Sequence, residues 1–136
     1  MNKPLMFAAL AAILTPAAGL LPAAAPAVAA KPPVVTVVTI RMDDRHFSPQ
    51  VIRLKGGRLY RLRFVNTDRT EHDFYAPEFF GAAKLGPKVF LDKNRVNVRS
   101  GETRTVTLTP APGHYEAKSS KALDVVSNMK VQILVY

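Results

Sequence analysis

Three histidines, four methionines and no cysteine define the coordination chemistry open to this 136-residue chain. Without a thiolate there is no zinc–thiolate site, no iron–sulfur cluster, no covalently attached haem c and no disulfide. Imidazole and thioether remain. His46, His72 and His114 supply the first, and Met42 and Met129 supply the second within strand-like sequence. Two imidazoles with one or two thioethers suit a soft ion such as Cu(I), since thioether sulfur is soft and imidazole accepts copper. Each residue also has a plainer use. Met42 and Met129 border apolar strands and can fill core space. His72 can bond a backbone group or pair with Glu71 or Asp73, and His46 can be a solvated loop residue.

Other chemistries find no support. Ser119-Ser120-Lys121 offers a serine beside a lysine, but no oxyanion-hole motif or helical setting accompanies it. Glu71, Asp73 and Glu78 are close in sequence without a cleft to organise them. Neither a Gly-rich phosphate loop nor His-Glu-x-x-His occurs. The expectation is therefore a binding protein, not an enzyme.

Positioning these residues falls to a domain that starts after an N-terminal leader. Met1-Asn2-Lys3 carries one positive charge, Leu5 to Leu14 is apolar, and an Ala/Pro-rich tract broken at Pro16 runs to Ala30. Ala27-Val28-Ala29 and Val28-Ala29-Ala30 both fit the small-x-small pattern of signal cleavage, so residues 1–30 read as a secretory signal and residues 31–136 as one exported domain. A bacterial periplasm is the expected compartment. The apolar run is barely long enough to span a bilayer and is interrupted by proline.

Beyond Lys31 the hydrophobic period is two. Val38, Ile40 and Met42 alternate with Thr39 and Arg41; Tyr60, Leu62 and Phe64 alternate with Arg61 and Arg63; Met129, Val131, Ile133 and Val135 alternate with Lys130 and Gln132. Further strands are expected at Val51–Leu54, Arg95–Val98, Thr103–Thr109 and Tyr115–Ser119, with His46-Phe47-Ser48-Pro49 as a loop and Pro77 allowing a short helix toward Ala83. Seven to eight short strands with Gly, Pro and Asn punctuation predict an all-β Greek-key sandwich. Following strand direction through the turns places Met42, His46, His72, Ser119 and Met129 at one end and His114 at the other.

Several motifs, in order, resemble the cupredoxin family, the blue-copper electron carriers. Phe47-Ser48-Pro49 followed by Val51 to Gly57 is similar to the family's opening strand and turn. Asn66 with His72-Asp73-Phe74 resembles the segment carrying the first copper histidine, and Ala76-Pro77-Glu78-Phe79-Phe80 resembles a bacterial cupredoxin-like subfamily. Pro112-Gly113-His114-Tyr115, with Met129 opening the last strand, resembles the final strands. The resemblance implies a cupredoxin-like fold with His72 and Met129 at ligand positions. It also shows two departures: Ser119 stands at the cysteine position, and Ser120 to Asn128 contains no second histidine. A hydroxyl cannot replace the thiolate of a type 1 copper site.

The chain carries 19 basic and 10 acidic residues, a net charge of +9, or +8 once Lys3 leaves with the signal. Such a bias favours acidic proteins or anionic lipid surfaces as partners, and export argues against nucleic acid. Two functions follow as expectations. One is copper handling, with His72 and Met129 as metal ligands and His46 as a recruit at the same end. The other is a metal-free interaction module docking through its basic surface on an acidic periplasmic protein or an anionic membrane.

Overall fold

The computed structural model describes residue 19 and residues 22–136. Most of the apolar leader stretch lies outside the described residues, and residues 22–31 are exposed and without regular structure. Pro32–Tyr136 forms one compact unit.

That unit is a sandwich of two five-stranded sheets. In one sheet the order is β2 (His46–Ser48), β1 (Thr36–Asp43), β4 (Tyr60–Asn66), β8 (Thr103–Thr109) and β6 (Lys84–Leu85). In the other it is β3 (Val51–Leu54), β10 (Lys130–Val135), β9 (Gly113–Lys118), β5 (His72–Tyr75) and β7 (Arg95–Val98). Two short helices complete it: α1 (Pro77–Ala82), with Pro77 in its first turn, and α2 (Ala122–Val126). The strand count exceeds the expected seven to eight for two reasons. His46–Ser48, read as a loop, pairs with β1 as a strand while the chain crosses to the other sheet at β3, and β6 adds a two-residue strand.

Period-two patterning becomes the core directly, because alternate side chains leave a strand on opposite faces. Ile40 and Met42, Leu62 and Phe64, Val106 and Leu108 point inward from one sheet. Ile52 and Leu54, Val131, Ile133 and Val135, Phe74, Val96 and Val98 face them from the other. Phe74 is the hub, with ring centroids 5.5 Å from Phe47, 4.8 Å from Phe64 and 6.0 Å from Phe80. The arginines of this sheet do not all share one face. Arg61 and Arg63 do face solvent, but register pairs Arg104 with Phe64, which puts it on the inward-facing side where the sandwich ends and the side chain reaches solvent.

Strand polarity gathers one end of the sandwich. β1 and β4 run parallel, β10 runs parallel to β3, and β9 runs antiparallel to both β10 and β5. Hydrogen bonds tie the strand ends together: Thr67 N donates to Met42 O at 3.0 Å, and Ser119 N donates to Met129 O at 3.0 Å. His114 pairs with Leu134 near the opposite end.

Candidate functional site

At that end the core gives way to a buried polar network. Its frame is Asn66, the last residue of β4. Its side-chain amide donates to Val98 O at 2.9 Å and Thr70 O at 2.8 Å, and its Oδ1 accepts from Asp68 N at 2.9 Å. These bonds shape the turn before β5 and aim Asp68 at the first residue of that strand, His72. Ser100 Oγ adds a bond to Asp68 O at 2.7 Å.

His72 is fully buried, and both of its ring nitrogens are taken. Nδ1 donates to Asp124 Oδ2 at 2.6 Å, and Nε2 donates to Asp68 Oδ2 at 3.0 Å. A ring that donates from both nitrogens is an imidazolium. Burial disfavours that charge, but the hydrogen bonds and Coulomb attraction of Asp124 and Asp68 outweigh it, and the His72 pKa is raised above 6.5. Asp68 is held below its ordinary value, first by its bond from His72 and then by the Arg69 amide.

Ser119 extends the network across β9. Its Oγ lies 2.6 Å from Asp124 Oδ2 and 2.7 Å from Asp73 Oδ1. A hydroxyl has one hydrogen, so it donates to one carboxylate at a time. Asp73 is fully buried and also accepts from Ser120 N at 2.7 Å and from Ser120 Oγ. Burial pushes its carboxyl up, yet the bonds from Ser120 and Ser119 and the charge of Lys121 prevail, and its pKa is lowered. Arg95 stands 3.9 Å from Asp73 Oδ2 and stacks over Tyr75 at 5.0 Å.

The expected ligands are thus placed at one end but not into one donor set. His72 and Ser119 converge on a common point, and a carboxylate oxygen, Asp124 Oδ2, fills it. Met129 is buried in the core cluster, and its backbone N–H donates to Asp124 O at 2.9 Å. His46 stays in its exposed hairpin, where Nδ1 donates to Asp44 O at 2.6 Å. Met42 is core. His72 pairs with neither Glu71 nor Asp73; Glu71 instead meets Lys121 at 2.6 Å. The sequence reading missed Asp68 and above all Asp124, and considered Asp73 and Ser120 only in other roles. One signal was available: Asp124 is the sole acid between Ser119 and Met129, inside the run Ala122-Leu123-Asp124-Val125-Val126.

Comparison with known proteins agrees with the fold. Residues 5–127 match the model of the cupredoxin-like domain. The chain belongs to the cupredoxin-like domain family. Among solved structures, auracyanin B aligns with a TM-score of 0.57 at 22% identity, covering 78% of this chain and 91% of its own. The auracyanin of Roseiflexus castenholzii, solved in its dithionite-reduced form, gives 0.57 at 21%, covering 74% and 97%. Auracyanin A of Chloroflexus aurantiacus, described as a "blue" copper protein, gives 0.56 at 17%, covering 76% and 100%. Identities this low establish the shared fold. Among functionally curated proteins, none matches in sequence.

Membership in this family raises copper of the blue type, and the residues present do not fit that site. His72 offers no free nitrogen while Asp68 and Asp124 hold it, Ser119 supplies a hard oxygen in place of sulfur, and the convergence point is filled by Asp124. Copper of the blue type is held by imidazole nitrogen and soft sulfur, not by hydroxyl and carboxylate oxygen. The arrangement binds its own side chains.

Proposed function

We propose that this chain is an exported, non-enzymatic docking module in which the family's ion position has become an internal structural network. The single observation behind this reading is Asp124 Oδ2, on which the two side chains that stand at ligand positions converge at 2.6 Å each, His72 donating from Nδ1 and Ser119 sharing its one hydrogen between Asp124 and Asp73. An oxygen that receives both donors does for the fold what an ion would do: it ties the β9–β10 connection to the start of β5. Freed from that task, the protein acts through its surface, whose +8 charge after leader removal favours anionic partners. The leader supports delivery to the periplasm. Among the described residues, no helix is long and apolar enough to cross a membrane.

Metal titration tests the reading. The unit Pro32–Tyr136, which holds both sheets and both helices, is titrated with Cu(I) and Cu(II) while His72 ring resonances are followed by NMR. The expected result is no stoichiometric binding at His72, with any weak uptake unchanged by His72→Ala and Met129→Ala. Stoichiometric Cu(I) binding lost in both variants would return the protein to copper handling and overturn the proposal.

A further inference from the structure

Helix α2 is inside out. Asp124, its charged residue, is 2% exposed, whereas Leu123 is 60%, Val125 59% and Val126 86% exposed. A helix that packs for stability turns its apolar stripe inward. Here the buried direction is claimed by the Asp124 carboxylate, held by His72 and Ser119, and successive residues on a helix point about 100° apart. Anchoring Asp124 therefore turns its apolar neighbours outward. Contiguous apolar side chains rimmed by polar groups mark an interaction site.

The rim is cationic. Register sets Lys118 directly opposite Lys130 on β9 and β10, an arrangement of like charges that costs stability in a sheet. Among the described residues, neither lysine takes part in an ion pair. With Val125, Tyr75, Met129 and one carboxylate, Glu116, they line an open cavity of about 410 Å³ beside the helix. The surface thus combines a projecting apolar tip with two lysines that make no ion pair and outnumber the single carboxylate beside them, Glu116.

We infer that this surface attaches the protein to an anionic lipid bilayer: Leu123, Val125 and Val126 enter the headgroup boundary while Lys118 and Lys130 meet lipid phosphates. An acidic protein would satisfy the charges, but it would also need a recess shaped to three projecting side chains. A bilayer interface moulds itself around them. One turn of helix buries little apolar surface, so the charge is needed as a second signal. The inference rests on the proposal above only in keeping Asp124 resident in the network.

Co-sedimentation of Pro32–Tyr136 with vesicles tests it, using phosphatidylcholine alone and phosphatidylcholine with about a third phosphatidylglycerol. Partitioning onto the anionic vesicles should exceed that onto neutral ones by about tenfold and fall as salt is raised. Leu123→Ser/Val125→Ser/Val126→Ser should lower it about tenfold, and Lys118→Gln/Lys130→Gln by a similar factor. These side chains are exposed, and unchanged urea midpoints would show that the variants fold. Equal binding to both vesicle types, anionic binding unaffected by the serine variant, or no binding to either would overturn the lipid inference. If metal titration is silent as well, the docking reading stands with an acidic protein as its partner.

Discussion

Two adjacent regions of the same sandwich are held by different physics. Below the network, Phe74 touches Phe47, Phe64 and Phe80 in a cluster whose contacts are non-directional and tolerate shape-conserving exchange. Above it, Asp68, His72, Asp124, Ser119 and Asp73 form a chain in which every bond depends on the charge and proton of the next. The aromatic region needs volume. The polar region needs particular atoms, because a buried charge left without its partner costs far more than a slightly misfitting methyl group.

The comparison can be broken by substitution, beginning with the hub. Phe74→Ala is expected to cost about 4 kcal/mol in urea unfolding, since three ring contacts are lost and the cavity cannot fully collapse; Phe74→Leu should recover most of that. Asp124→Ala is expected to cost about 3 kcal/mol, at the low end for a broken buried pair because Asp68 still faces His72. Here the conservative variant should fail to rescue: Asp124→Asn keeps the shape but lacks the charge that stabilises the imidazolium. If Asn restored stability as fully as Leu does at position 74, the distinction between the two regions would be lost.

The smallest expected effect is the dependence on pH. The folded His72 pKa lies above 6.5, so the folded state holds that proton more tightly than the unfolded chain. Its contribution is complete below 6.5 and is lost as pH rises through the raised value. Asp73 works in the opposite sense. Its folded pKa lies below 3.8, so its contribution is present above 3.8 and is lost as pH falls through the lowered value. Unfolding free energy measured against pH should fall on the alkaline side in the parent protein and in Phe74→Ala, and His72→Gln should lack that alkaline limb. An identical limb in His72→Gln would sever the pH response from the network.

The same contrast explains what could be read from the chain. Alternation at Tyr60, Leu62 and Phe64 or at Val131, Ile133 and Val135 is local, so the core faces and the sandwich were legible. Tracing strand direction also brought His72, Ser119 and Met129 to one end. The partners of His72 were not legible, because Asp124 lies 52 residues away and Asp73 meets Ser119 across 46. Only assembled sheets decide which of many acids reaches a given ring. His46–Ser48 was misread as a loop for a related reason: polar residues flank its one buried position, Phe47, and pairing with β1 makes it a strand.

The oxygen of Asp124 between His72 and Ser119 also limits how the interior can be altered. Ser119→Cys alone would set a weak donor between two carboxylates. A histidine at position 124 alone would confront an imidazolium that Asp68 still clamps, and removing Asp68 alone would strip the buried ring of one counter-charge. Each single step toward a nitrogen-and-sulfur ligand set passes through a less stable protein. With a carboxylate at its centre the interior resists stepwise exchange toward an ion site, whereas exposed side chains can be exchanged independently of the network beneath them.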